Sequence, residues 1–202
     1  MEARGADPVG LLAGLAAWTK NEGLLFMIAL PLGMVLGPWL ARQPALGGRR
    51  LLWILAGAAP LAILVLLFKA NVASSNWLAA GATQASVLDR LLDPSRYALI
   101  LRHFGEEIGL MGYAMVPLLA ILAWIQRRRG LCRWTPAAAM AVAVALLMLA
   151  GYAAVFLLTP LPLAWQLDDS CRRLVLQLWP SAILGYFMLV EGEDPRIKGF
   201  GL

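Results

Sequence analysis

The sequence predicts an all-α protein, a polytopic transmembrane helical bundle of about five membrane helices plus short amphipathic interfacial helices. Hydrophobic residues make up 61% of the 202 residues and charged residues only 14%, more apolar side chain than a soluble domain of this length could bury. The apolar residues form blocks of about 18 to 20, and a helix needs roughly 20 to cross a bilayer. We therefore expect membrane lipid to surround a single membrane domain, residues 1–202.

The first predicted element is a short helix over residues 8–19, which begins with Asp7 as an N-cap before Pro8. A dozen helical residues cover roughly 18 Å, too little to span a bilayer unaided. It is therefore expected to be a half-helix, or to follow an upstream portion of the protein. The polar residues 20–23 separate it from a membrane helix, residues 24–40, which contains two prolines and is expected to kink.

Four further apolar blocks predict membrane helices, residues 51–68, 108–125, 137–158 and 174–190. Residues 69–107 are less hydrophobic and are expected to form an outer-face loop with two amphipathic surface helices. The first of these helices places four apolar residues on one face, Val87, Leu88, Leu91 and Leu92. The second begins with Asp93 and Pro94 and carries one apolar stripe, Tyr97, Ile100, Leu101 and Phe104.

The 17 basic residues exceed the 12 acidic ones, and the short loops at 41–50 and 126–134 contain seven arginines. Such loops tend to stay cytoplasmic, so residues 69–107 are predicted to lie outside. The polar residues 20–22 and the segment around Asp168 then share that outer face. The sequence has no basic face interleaved with aromatics outside the hydrophobic segments, so nucleic acid is not an expected partner.

Ionisable residues near hydrocarbon are costly, which makes Lys20 and Glu22, on either side of Asn21, candidates for a functional site. Lys20 could hold a lipid phosphate. The alternative is an interfacial turn whose charged groups reach water beside the membrane.

Two acidic pairs are weaker candidates, Glu106 with Glu107 and Asp168 with Asp169. The first is more simply a solvated helix end, and the second could pair with the nearby arginines. His103, the only histidine, lies off the apolar stripe and is expected to be exposed. Without a cluster of Cys or His, no metal ligand is assigned, and oxygen ligands would suit only a cation such as Mg²⁺ or Mn²⁺. On this topology, Cys132 and Cys171 lie on opposite membrane faces and form no disulfide.

Two stretches resemble bacterial membrane glycosyltransferases of the GT-C class, relatives of the dolichyl-phosphate-mannose protein mannosyltransferases. Residues 14–23, read as GLAAWTKNEG, are similar to one segment of these enzymes. The ending from Thr159 through Arg173 to the Trp179-Pro180 pair is similar to their close. The resemblance implies a transferase of the cell envelope, in the bacterial inner (plasma) membrane, that takes a sugar from a polyprenyl-phosphate-linked donor on the extracytoplasmic face.

The resemblance carries over four possible donor-binding residues, Lys20, Asn21, Glu22 and Arg173. It also implies a catalytic acidic residue in a first outer loop, for which this sequence has no counterpart, so the catalytic residue is unknown. The chain is accordingly expected to be the later part of a longer enzyme, inactive alone, with the missing N-terminal portion as a partner. The alternative is a non-catalytic membrane protein, either a subunit that transports lipid-linked sugars or an inactive remnant. A transporter is expected to show internal repeats, and the sequence shows none.

Overall fold

The protein is an all-α bundle, as the sequence predicts. The computed structural model describes residues 8–43, 48–71, 84–113, 115–128 and 135–190. These residues form eight helices: α1 (Pro8–Thr19), α2 (Asn21–Leu40), α3 (Gly48–Asn71), α4 (Gln84–Leu92), α5 (Pro94–Gly112), α6 (Met115–Arg128), α7 (Pro136–Leu158) and α8 (Leu163–Val190). Within the described residues, α2, α3 and α7 are long and apolar enough to cross a membrane.

Helices α1 and α3 run side by side in the same direction. At the start of α1, a Cβ added to Gly10 would overlap the carbonyl group of Ile54. Near its end, the rings of Trp18 and Phe68 lie 6.1 Å apart. Later residues of α1 thus contact later residues of α3, so the two helices are parallel. Helix α2 folds back along α1 after Lys20, so α1 and α2 form an antiparallel hairpin.

Helix α7 packs against α2 in the opposite direction. A Cβ added to Gly37 would lie 2.7 Å from the Cα atom of Met140 at one end of this interface. At the other end, a Cβ added to Gly151 would meet the side chain of Leu25. Glycine thus lets the two helices approach closely, the arrangement by which helices associate in membranes. Helix α8 then returns along α7, with Gly185 beside Val142.

These directions give the bundle two chemically different ends. We call one the polar end, because it holds Lys20 between α1 and α2, Lys69 near the end of α3, and Thr159 after α7. The other is the arginine-rich end, where α2 finishes and α3 and α7 begin. The segments at 41–50 and 126–134, which lead into α3 and α7, contain the seven arginines. The predicted grouping of polar regions at one end is therefore found, while the cellular side of that end stays a prediction.

Two arginines attach α4 and α5 to the last turn of α7. Arg90 donates a hydrogen bond to the carbonyl oxygen of Leu158 at 3.0 Å. Arg96 donates to the carbonyl oxygens of Phe156 and Thr159, both at 3.1 Å. The last carbonyls of a helix lack partners within the helix, so these guanidinium groups satisfy them and complement the negative end of the helix dipole.

The predicted apolar stripe of α5 is divided between the protein interior and the surface. Ile100 and Phe104 are buried, and the ring of Phe104 meets that of Phe156 edge-on at 5.9 Å. Tyr97 and Leu101 are 42% and 72% exposed. Helix α5 therefore packs on α7 and α8 through half of the stripe and leaves the other half uncovered.

The structure differs from the predicted membrane helices in the second half of the chain. The predicted helix 108–125 is not one helix, because α5 continues to Gly112 and α6 begins at Met115 after a turn at Tyr113. Pro117 favours this start, since a proline in the first turn removes an N–H that would have no partner. The predicted helix 174–190 is the second part of α8, which begins at Leu163 and continues through Pro180.

Candidate functional site

The candidate site lies at the polar end, where Lys20 separates α1 from α2. Its backbone is extended, with φ −154° and ψ 159°. Before it, the Thr19 hydroxyl donates to the carbonyl oxygen of Ala16 at 2.8 Å, and after it the Gly23 amide donates to the Lys20 carbonyl at 3.0 Å. Thr and Asn favour helix ends because their side chains compete for backbone groups. These local contacts hold Lys20 at the tip of the hairpin, where it is exposed.

The structure brings together the two stretches of sequence that carry the family resemblance. Glu22, in the first turn of α2, forms an ion pair with Arg173 of α8, with 3.6 Å between Oε1 and Nη2. The Glu22 side chain is 21% exposed and that of Arg173 is 59% exposed. An ion pair this open to solvent contributes at most about 1 kcal/mol of stability. Its importance is positional, because it places Arg173 beside the tip of the hairpin.

Asn21 has a different partner. Its side-chain oxygen accepts a hydrogen bond from the ammonium group of Lys69, near the end of α3. Lys20, in contrast, makes no side-chain hydrogen bond or ion pair within the part of the chain that the structure describes. Of the four predicted donor-binding residues, three are therefore engaged with neighbours, and Lys20 presents an available cation.

A cavity of 230 Å³ opens beside this tip, between α2, α7 and α8. Lys20 and Glu22 are among its lining residues, together with three polar side chains from the facing helices, Tyr152, Gln177 and Ser181. Phe26, Met148 and Leu178 add apolar surface. No sequence pattern marks Tyr152, Gln177 or Ser181 as site residues, because only helix packing brings them to Lys20.

The other acidic candidates lie on α5 and the first part of α8. Glu106 accepts a hydrogen bond from Arg102 at 2.7 Å, one helical turn before it. This bond lowers the pKa of the Glu106 carboxyl group below its ordinary value. Glu106 therefore stays ionised near neutral pH, which makes it a poor proton acceptor. Asp169 is exposed and accepts a hydrogen bond from the hydroxyl group of Ser170 at 3.0 Å.

His103 is placed differently from the prediction. Its side chain is only 20% exposed, and Nε2 lies 3.2 Å from Oδ1 of Asp168. Its other ring nitrogen lies 3.1 Å from the carbonyl oxygen of Leu99. The expectation of an exposed histidine was wrong because α5 packs on α8 through the face that carries His103. The pair joins the two helices and gives Asp168 a structural partner.

Two of the carboxylates that could offer oxygen ligands to a divalent cation have other partners in the structure. Within the described residues, no group of three or more His, Cys, Asp and Glu side chains could hold a metal ion. The candidate oxygen ligands Glu106 and Asp168 already bond to Arg102 and His103.

Comparison of the chain with protein-family models, with curated proteins and with solved structures found no match.

Proposed function

We propose that the chain supplies the donor-binding part of a membrane glycosyltransferase, which takes a sugar from a polyprenyl-phosphate carrier at the polar end. The ion pair between Glu22 and Arg173 is the observation that carries this proposal. It joins the two stretches that resemble GT-C enzymes, and it leaves Lys20 exposed at the rim of the cavity. The family assignment itself rests on the sequence resemblance.

The chemistry of the tip suits a phosphate group. An ammonium group binds phosphate as a compact point charge, and a guanidinium group has five N–H donors, of which Glu22 can occupy only part. Lys20 and Arg173 would therefore contact the phosphate oxygens. As the bond from sugar to phosphate breaks, negative charge grows on the leaving phosphate, and fixed cations stabilise it.

The cavity wall suits the sugar. Tyr152 and Ser181 provide hydroxyl groups and Gln177 an amide, all groups that can both donate and accept hydrogen bonds. Sugar hydroxyl groups need partners of both kinds. The polyprenyl chain would lie along the apolar helices, since α2 exposes large side chains such as Ile28 and Leu32. The donor would thus cross from hydrocarbon to the polar end at Lys20.

Binding of a polyprenyl phosphate to the full chain in detergent or nanodiscs tests the phosphate contact. Lys20→Met removes the charge at similar length and should weaken binding roughly ten- to a hundredfold, as expected for a hydrogen bond to a charged group. Arg173→Gln should also weaken binding of the polyprenyl phosphate. Arg172→Gln is the matched control, because Arg172 is exposed and next in sequence, whereas Arg173 is the arginine that pairs with Glu22 at the tip. The uncharged polyprenol should bind weakly to every variant.

Two results would contradict the proposal. One is an unchanged affinity in Lys20→Met together with a loss of insertion or stability, which would make the tip a structural interfacial turn. The other is an equal loss in Arg172→Gln and Arg173→Gln, which would indicate general attraction between basic residues and phosphate.

The proposed donor requires the polar end to face the extracytoplasmic side. A single cysteine at position 74, introduced as Ser74→Cys with both natural cysteines replaced, reports this side. Position 74 follows α3 and lies outside the described residues. An impermeant thiol reagent should label it in intact cells. Labelling only after the membrane is made permeable would reverse the topology and refute an extracytoplasmic site.

A further inference from the structure

A second cavity lies at the arginine-rich end, far along the bundle from Lys20. Its volume is 360 Å³, and α1, α2, α3 and α7 all contribute to its lining. None of its lining residues belongs to the candidate donor site. The cavity is therefore separate from the candidate donor site.

The cavity lies beside the first described turn of α1. Gly10, in the first turn of α1, already packs against Ile54 of α3. Helix α3 begins at Gly48, six residues before Ile54, which corresponds to about 9 Å along its axis. This first part of α3 contributes Arg50 and Ile54 to the same lining as Met34 of α2 and Met140 of α7. Val9, from that first turn, forms part of the lining.

The lining combines an apolar wall with a cationic group. Leu30, Met34, Ile54 and Met140 form much of the wall, and among the described lining residues Arg50 and Thr135 carry polar side chains. An ordered water molecule needs two to four polar partners, which an apolar wall does not offer. A hydrocarbon chain gains favourable contacts with the same wall. The lining thus suits a ligand with an apolar chain and an anionic head.

The charge around this end favours an anionic head group. The described parts of the two adjoining segments, 41–43, 48–50 and 126–128, contain five arginines and no aspartate or glutamate. Basic groups beside a membrane attract anionic lipids by about 1 kcal/mol per residue. Arg50 is exposed, and it is the arginine that lines the cavity.

We propose that this cavity binds an anionic phospholipid, with an acyl chain against the apolar wall and the phosphate on Arg50. Both parts of such a lipid meet complementary chemistry in the lining. This site does not depend on the proposed transferase function, because it shares no residue with the donor site and lies at the other end of the bundle.

Lipid binding to the full chain, purified in detergent and titrated with defined lipids, tests this site. Phosphatidylglycerol and phosphatidylcholine of equal acyl length are the probes, and native mass spectrometry counts the bound lipids. Phosphatidylglycerol should bind about fivefold more tightly, and Arg50→Gln should abolish this preference. Arg49→Gln, which removes a neighbouring charge outside the lining, should keep most of it.

A second pair of variants tests the apolar wall without changing charge. Ala137→Phe would fill the cavity from an exposed position on α7, and it should weaken binding of both lipids. Ala154→Phe is its control, an equally exposed alanine of α7 outside the lining. Equal binding by these two variants, or an equal effect of Arg49→Gln and Arg50→Gln, would overturn the proposal.

Removal of residues 1–7 provides a further test. If lipid binds only to the shortened chain, those residues occupy the cavity and the proposal is wrong. Unchanged preference for phosphatidylglycerol in the shortened chain supports the lipid site.

Discussion

Substitution of glycine by alanine should lower stability at Gly23, where α1 and α2 are in close contact, and raise it at Gly105, an open position of α5. At Gly23, an added Cβ would lie 2.6 Å from the backbone nitrogen of Ala17 and would overlap the carbonyl group of Ala16. Carbon atoms in contact normally lie about 3.5 to 4.0 Å apart. Both obstacles are backbone atoms, so the hairpin arms must separate to admit alanine. At Gly105, an added Cβ meets nothing within 4 Å.

The net effects follow from two opposing contributions. Overpacking costs about 1 to 3 kcal/mol, whereas alanine gains about 0.5 to 1 kcal/mol over glycine inside a helix. The overlap at Gly23 is with backbone atoms, which puts its cost at about 3 kcal/mol, so Gly23→Ala should lower the free energy of unfolding by about 2 to 2.5 kcal/mol. Gly105→Ala keeps only the gain from helix propensity and should raise it by up to about 1 kcal/mol.

Reversible unfolding in mixed micelles, followed by circular dichroism, measures both variants against the parent chain. A Gly23→Ala variant as stable as the parent would show that the hairpin arms are not in close contact. Destabilisation by Gly105→Ala would show that α5 is covered on the face where the structure leaves open space.

Three further predictions concern α5 and α8. Arg96→Met should lower the free energy of unfolding by about 1.5 to 3 kcal/mol, because it leaves two carbonyl oxygens of the α7 end unpaired, and denaturant titration measures this loss. The Glu106 carboxyl, whose pKa is lowered by its hydrogen bond from Arg102, should stabilise the fold above its ordinary pKa and lose this effect as pH falls through the lowered value. Arg102→Gln should remove that acid dependence from thermal unfolding curves. Burial, with a smaller effect of a nearby carboxylate, raises the pKa of Cys171 to about 11, so in a Cys132→Ser background maleimide should label the chain at pH 8 only after denaturation.

Local sequence signals located the hairpin but not its partners. The predicted end of the first helix at Thr19 is where α1 ends, and the predicted N-cap Asp7 lies outside the described residues. The partner of Glu22 could not be read in the same way. From the sequence alone, Lys20, two residues away, was as good a partner for Glu22 as a more distant arginine. Only the position of α8 beside α2 places Arg173 within reach of Glu22. The resemblance named both residues without indicating that they touch.

Pairs of glycines spaced four residues apart also indicate positions where helices can approach closely. Gly10 with Gly14, and Gly33 with Gly37, follow the spacing of four that lets membrane helices approach closely, and both pairs lie at helix contacts. The same spacing occurs in α5, where a Cβ added to Gly105 or Gly109 would meet nothing within 4 Å. The motif alone therefore does not distinguish a helix face in close contact from an open one.

Whether the Lys20 ammonium group can bind a phosphate depends on the position of the hairpin tip that carries it. Its neighbours are fixed from two sides, Asn21 by Lys69 of α3 and Glu22 by Arg173 of α8, so the tip is held before any ligand arrives. A site whose supporting groups are already in place loses less free energy to ordering when it binds. If Lys20 contacts the donor phosphate, Gly23→Ala should lower donor affinity as well as stability, because separation of the hairpin arms displaces the tip. Gly105→Ala should raise stability and leave donor affinity unchanged. Loss of stability in Gly23→Ala with parental affinity for polyprenyl phosphate would show that the phosphate does not bind at the tip.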